Sequence, residues 1–390
     1  MLRTALKPRF LGLLGLVLVV GVAFVLLGRW QLGVAESTAH RDAVEQARAQ
    51  DPAPITTVLR PQAPFRGDLS SRPVTATGQY AAEGQLLVPD RRLELMLVCA
   101  HPAIAVGDRT PLMLNTVLGF TAEQVARSYA VPTSTMATRL VRAKHRIRDN
   151  RIPFRLPDRS HLPERMDAVL AAVYAAYVIE WSTGPGERDL PPEALHLAEV
   201  LAELVPDDAE VHGLAALVEL SAARRPGRLA PDGRFVPLAS QDTALWDADL
   251  IARAHGHLRA AHPARVVGRY QLEAAVQAVH CARRETGRTD WPTLLELHRS
   301  LAVVAPSLGS ATALAAVTAE VEGPAAGLAL LDADAGRTKR FQPAWATRAE
   351  LLTRLGRDAD AAAAYDHAIA LTHETPERRH LEARSAALRG

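Results

Sequence analysis

"FTAEQVARSYAVPTSTMATRLVRAKHRIRD" (residues 120–149) decides the fold of the larger part of this chain. Thr121 and Gln124 stand in T-x-x-Q spacing, the capping box that satisfies two orphan amides at a helix start. Val125, Ala126 and Tyr129 fall on the inward side of the short helix that follows. The stretch Ala130–Pro132 breaks it. In a second helix Met136, Leu140, Ala143 and Ile147 recur at helical spacing and define one buried stripe. The rest of that surface carries Ser134, Thr138, Arg139, Arg142, His145 and Arg146.

Two short helices joined tightly, the second basic on its free side, are the helix-turn-helix layout. The second helix would enter a major groove with its first turn at base edges. Thr133, Ser134, Thr135 and Thr138 are short hydroxyl residues suited to phosphate or base contacts. Arg139 and Arg142 have the reach and fork geometry for guanine or phosphate. Lys144 and Arg146 add charge for electrostatic docking. From Arg139 to Arg155 there are seven Arg or Lys against one acid, Asp149. A plain solvated basic face is the alternative reading.

Upstream, Pro111–Leu118 reads as an apolar helix closed by Gly119 in the position just past a helix end. Downstream, Met166–Tyr177, Glu193–Val205 and Asp208–Arg224 read as helices. "RRPGRLAPDGRFVPLASQD" reads as a loop or small hairpin with Asp-Gly at its tip. A helix over residues 241–261 would be capped by Asp242, with Trp246 and Leu250 on one side. Gly287, Gly323 and Gly356 are spaced by 36 and 33 residues, near the roughly 34-residue tetratricopeptide period. Leu355-Gly356, Ala361, Tyr365 and Ala368 fit that repeat's small and aromatic positions. Trp246, Tyr270, Trp291 and Trp345 read as packing aromatics rather than ligand contacts.

The first residues follow another logic. "FLGLLGLVLVVGVAFVLLG" (residues 10–28) holds 19 residues without a charge or a proline. Its helical length of about 28 Å approaches the hydrocarbon thickness of a bilayer. It exceeds the apolar run of a signal peptide, so it reads as an uncleaved single-pass anchor, with cleavage at "GVA" (Gly33–Ala35) as the alternative reading. Arg3, Lys7 and Arg9 before it favour an inside N-terminus. Ser37–Gln50 reads as a short polar helix. Asp51–Asp90 carries six prolines and an alternating "PVTATGQY", which is strand and loop chemistry.

A net charge of +2 confines any basic surface to a local patch, and only three of the 45 basic residues are Lys. Cys99 and Cys281 form no disulfide framework, and a buried thiol is the expectation for each. His255, His257, His280 and His298 show no metal-ligand spacing, and no nucleophile elbow, phosphate loop or dinucleotide fingerprint occurs. No metal, no cofactor, no catalytic residue and no enzyme activity are therefore expected.

Two resemblances extend this reading. "LGRWQLG" (27–33), "RPVTATGQY" and "QLLVPDRR" after a basic start and one apolar run resemble the surfeit-locus family over residues 1–92. That likeness implies a membrane protein assisting cytochrome oxidase assembly. Residues 120–149, with "LVCAHPAI" before and "IPFRLPDRSHLPERMDAVLAAVYAAY" after, resemble region four of extracytoplasmic-function sigma factors. The likeness is to a subgroup with a tetratricopeptide-like extension. It implies the promoter element near −35 as the DNA partner and RNA polymerase as a further one. The repeats imply a protein or peptide partner, and residues 10–28 a membrane.

The chain is thus expected to be mainly α. Residues 1–28 are an N-terminal transmembrane helix and 29–92 a short strand and loop segment. Residues 93–155 are a helix-turn-helix domain, 156–240 a helical linker and 241–390 a tetratricopeptide-like helical repeat domain. A location in the cell membrane follows, or the cytoplasm if the anchor is not used. The sigma-like part lacks region two, and "RRL" at 91–93 marks where two truncated proteins would join.

Overall fold

The chain divides into two units, Met1–Glu83 and Gly84–Gly390. The computed structural model describes residues 49–54, 73–75, 90–129, 131–150, 152, 159–182, 193–372 and 375–389. In the first unit β1 (Ala53–Pro54) pairs in parallel with β2 (Val74–Thr75).

The second unit is helical throughout its described length, apart from one bridge between Leu229 and Phe235. Its first helices are α1 (Arg91–Cys99), α2 (Val106–Thr116), α3 (Ala122–Ser128) and α4 (Thr133–Asp149). Next come α5 (Pro163–Ser182), α6 (Glu193–Leu204), α7 (Ala209–Ala223), α8 (Ala248–Ala261) and α9 (Arg269–Cys281). A single turn, α10 (Arg283–Thr286), precedes α11 (Trp291–Val304), α12 (Leu308–Val321) and α13 (Pro324–Ala333). A second single turn, α14 (Ala335–Thr338), precedes α15 (Gln342–Arg354), α16 (Asp358–Ala370) and α17 (Pro376–Ala387).

An N-terminal transmembrane helix is not part of this fold as described. Among the described residues no helix is long and apolar enough to cross a membrane. The longest, α5, has 20 residues but carries Glu164, Arg165, Asp167 and Glu180. Residues 10–28, on which that expectation rested, lie outside the described residues, as does nearly all of the short helix expected at Ser37–Gln50.

Two other expectations change. The helix expected from Pro111 begins at Val106, so Pro111 lies inside it. Asp242 caps only a single 3-10 turn, Thr243–Leu245, by accepting from the Ala244 amide. α8 begins at Ala248 and is capped by Asp247. Trp246 therefore precedes the helix, and it is almost wholly buried.

One continuous apolar core runs from Leu93 to Cys281. At its centre lies α7, whose buried residues occur on every side of the helix. It packs most extensively on α8 and α9 and also on α6 and α5. Gly213 permits the approach of α9: a Cβ there would lie 2.6 Å from the Gln271 amide nitrogen. A second, alanine-rich core joins α12, α13 and α15–α17. Gly287, Gly323 and Gly356 all have positive φ, so the glycine period marks the turns of successive helices. Gly327 is a point of close approach, where a Cβ would lie 2.4 Å from the Ala315 carbonyl oxygen.

The central core also buries charge. The Glu219 side chain is 1 % exposed, with its Oε1 3.5 Å from Arg253 Nε and 3.8 Å from His257 Nε2. His257 Nδ1 lies 2.9 Å from His212 Nδ1, and His212 Nε2 lies 2.8 Å from the Pro206 carbonyl. A carbonyl can only accept, so His212 Nε2 carries the proton, and in neutral His212 the Nδ1 accepts from His257. Burial pushes the Glu219 carboxyl up to about 7, with Arg253 lowering it and Glu199 raising it.

The native state therefore holds the Glu219 proton more tightly than the unfolded chain does. That contribution is complete below the ordinary carboxylate range and lost as pH rises through about 7. Replacement Glu219→Gln removes it. Relative to wild type, the Tm of the variant should gain steadily from about pH 5 to about pH 8. Thermal melts of both proteins that stay parallel across this range would contradict the burial argument.

Candidate nucleic-acid interface

The pair α3–α4 forms from local chemistry. The Gln124 amide donates to Thr121 Oγ1 (3.2 Å), and the Thr121 amide donates to Gln124 Oε1 (2.9 Å), closing the expected capping box. Gly119 before it has φ 71°, as expected for a residue closing a helix. The Asn115 side chain bridges this turn, donating to the Phe120 carbonyl at 2.9 Å. Between the helices, the Val131 amide reaches the Ala126 carbonyl at 3.0 Å.

The apolar stripe of α4 faces inward. Met136, Leu140 and Ala143 are buried, and Ile147 packs half-buried against the same core. α4 lies on α3 and α2, and α2 lies between α4 and α5. The outer face carries Thr133, Ser134, Thr135, Thr138, Arg142, Lys144, His145, Arg146 and Arg148, all exposed.

These side chains are not equivalent. Thr138 Oγ1 donates to the Ser134 carbonyl at 2.9 Å, so its proton is engaged and only its lone pairs face outward. Lys144 Nζ donates to Asn115 Oδ1 at 3.0 Å, a neutral partner that leaves its charge unbalanced. Arg139 is engaged twice, through Nε to Asp108 Oδ1 at 3.0 Å and through Nη2 to the Gly107 carbonyl at 2.5 Å. Among the described residues, no ion pair or hydrogen bond occupies the guanidinium of Arg142, Arg146 or Arg148.

Arg142 and Arg146 line a cleft of about 450 Å³ between α4 and the loop before α2, together with His145, Asp108 and Asp149. The two carboxylates, of which Asp108 is already paired with Arg139, give the cleft mixed charge. Val141, 53 % exposed, interrupts the polar face between Thr138 and His145. The partners Gly107, Asp108 and Asn115 were not legible as part of this site. Only a proline four residues after Gly107 signalled that something would be needed there.

Both cysteines are buried and free, and burial pushes the Cys99 thiol up to about 11, which keeps it protonated. Trp246 and Tyr270 are buried, whereas Trp291 and Trp345 are half-buried against His280 and His367.

Comparison with known proteins adds three findings. Residues 18–142 match the SURF1 family, so that likeness runs past residue 92 and through most of α4. Residues 165–262 match a family of unknown function (DUF6596), covering α5 to α8. A protein of Rhizobium meliloti (strain 1021), described as uncharacterized, is 32% identical over 296 residues, 75% of this chain and 70% of that protein. The chain belongs to the family of that Rhizobium meliloti protein. No solved structure matches.

The capping box carries the entry into α3. Replacement Thr121→Ala removes the acceptor for the Gln124 amide and should lower the unfolding free energy by about 1 kcal/mol. Urea titration of the purified protein reads this as a lower midpoint at unchanged slope.

Proposed function

We propose that the helical part of the chain is a DNA-binding transcription regulator of the sigma region-four kind. The observation that carries this reading is the outer face of α4, where Arg142, Arg146 and Arg148 stand exposed without partners. Many arginines among the described residues are engaged: Arg109, Arg165 and Arg283 all donate to carbonyls, and Arg253 and Arg354 pair with carboxylates. Basic residues at a helix end also gain from its dipole, which explains Arg146 and Arg148 but not Arg142.

In this reading Thr133, Ser134 and Thr135 meet base edges at the start of α4, and Thr138 accepts from a base amine. Arg142 and Arg146, with Lys144, dock on phosphates. The promoter element near −35 is the DNA partner, RNA polymerase a second one, and the C-terminal repeats serve a protein or peptide. Binding, not catalysis, is the activity inferred.

The comparisons bear more directly on a second reading. The match of residues 18–142 to the SURF1 family supports a membrane-associated protein acting in cytochrome oxidase assembly, with the later helices as an appended body. A membrane location is consistent with that match. The two readings separate in cells. Loss of the oxidase absorbance bands on deleting the gene supports the second, and altered transcription with normal oxidase supports the first.

The first reading is tested with the purified chain and a pool of randomised duplexes. Arg142→Ala should weaken binding and lower the slope of log affinity against log salt by about 0.9, the value for one phosphate contact. If wild type shows no attraction for any duplex at low ionic strength, the DNA-binding reading is lost.

A further inference from the structure

Pro111 lies inside α2. In an α-helix the amide of residue 111 would donate to the carbonyl of residue 107, but proline has no amide proton. The Gly107 carbonyl is thus left without its helical donor. The guanidinium of Arg139, thirty-two residues later and on α4, points at this oxygen: Nη2 donates to it at 2.5 Å. Its Nε meanwhile bonds Asp108 Oδ1 at 3.0 Å. One planar fork therefore spans a backbone oxygen and the next residue's carboxylate in a fixed geometry.

We propose that Arg139 is a positioning residue that sets where α4 sits along α2, and that it does not touch nucleic acid. The apolar stripe of Met136, Leu140 and Ala143 decides which face of α4 turns inward. Apolar contact is non-directional and resists a small slide along the helix axis weakly. A bidentate polar contact resists it strongly, because hydrogen bonds weaken steeply with angle and distance. The slide matters for this function. Phosphates repeat about every 3.4 Å along a strand, while one helical residue advances about 1.5 Å, so a shift of one residue misplaces the base-facing turn.

Exposure agrees with this division. Arg139 and Asp108 side chains are each 27 % exposed, tucked between the helices, whereas Arg142 and Arg146 are exposed at the edge of the cleft. For Arg139 to reach a duplex it would have to abandon both partners. The effect of losing it is modest, since the pair is partly solvated and water can reach the Gly107 carbonyl. It is expected in specificity more than in overall attraction.

The inference rests on the DNA-binding reading for its functional readout, and the experiment separates the two. Full-length wild type is used to select a preferred duplex from a randomised pool. Its affinity for that duplex and for a random one is then measured by fluorescence anisotropy over a range of salt. Variants are Arg139→Ala, Arg139→Lys, Pro111→Ala, the double variant Pro111→Ala with Arg139→Ala, and Arg142→Ala as a contact reference.

Arg139→Ala should lose about three- to tenfold on the selected duplex and less than about twofold on the random one, with an unchanged salt slope. Arg139→Lys should lose most of what Arg139→Ala loses, because a freely rotating ammonium lacks the rigid planar fork that fixes the direction of both bonds. In the Pro111→Ala background, which returns an amide donor to the Gly107 carbonyl, the Arg139→Ala loss should shrink. A slope lowered by about 0.9 with equal losses on both duplexes makes Arg139 a phosphate contact and overturns the proposal. If wild type selects no duplex, the functional reading falls alone. Amide exchange then decides the positioning role: faster exchange at the start of α4 in Arg139→Ala, restored by Pro111→Ala, supports it, and unchanged exchange ends it.

Discussion

A helix without a solvent face governs this structure. Because α7 is buried on every side, a polar group it carries is favoured where it finds a partner inside the protein, and the matches it makes place its neighbours. Asp208 caps its start by accepting from the amides of Glu210 and Val211. The Glu210 carboxylate turns outward to accept from the amides of Tyr270 and Gln271, so it caps α9. At the far end, buried Arg224 bonds Gln277 on α9. Midway, Glu219 meets Arg253 and His257 on α8. Once α8 and α9 are fixed in this way, α5 and α6 fill the remaining sides. α5 in turn holds the front of the unit: Arg165 donates to the Leu97 carbonyl of α1, and Thr110 of α2 reaches the Ala168 carbonyl. The placement of the helix-turn-helix is thus traceable, contact by contact, to the buried helix behind it.

The same contacts show that a basic run does not by itself mark a binding face. Only three of the 45 basic residues are Lys, and many of the arginines act as structural donors. Arg109 closes the loop before α2 through the Ile104 and Pro102 carbonyls. Arg225 binds the Glu180 carbonyl, and Arg283 holds the segment before α8 through the Leu238 and Gln241 carbonyls. A guanidinium offers five donors in a fixed plane and is weakly hydrated, which suits it to carbonyls stranded at helix ends, loops and prolines. A basic run in such a sequence mixes arginines that hold the fold with arginines that face outward. The run from Arg139 to Arg148 contains both.

What could be read from sequence is what depends on a few neighbouring residues. The capping box at Thr121 and Gln124 and the left-handed Gly119 close within a turn or two, so spacing alone reveals them. The glycines at 287, 323 and 356 were legible for a like reason, since a tight turn between packed helices requires positive φ wherever it falls. The errors arise where tertiary partners override local preference. Pro111 looked like a helix start because proline favours that position, yet the helix begins upstream at Val106, and the Gly107 carbonyl that Pro111 cannot serve accepts from Arg139 of another element. Asp242 looked like the cap of a helix, but Asp247 takes that role, because Trp246 is drawn into the core beside Gly227 and Arg283. The division of α4 into engaged and free cations was not legible at all, since it depends on α2 lying alongside.

The SURF1 match runs across residues 91–93, where the sequence suggested a join, and the contacts at this point tie the stretch to the helices that follow. Asp90 caps α1 through the Arg92 and Leu93 amides and lies 3.2 Å from His196 Nε2 on α6. Arg92 pairs with Glu193 at the start of the same helix. The residues around the join are therefore bound into the helical unit. Beyond them, residues 93–142 lie within the SURF1 match and residues 165–262 within the match to the family of unknown function, yet both segments contribute to one continuous core. A boundary drawn between those matches would cut through Thr110 and Ala168 and through Leu97 and Arg165. Among the described residues the physical unit is the core that both segments share, and the helix-turn-helix is held by the packing of α4 on α2 and of α2 on α5.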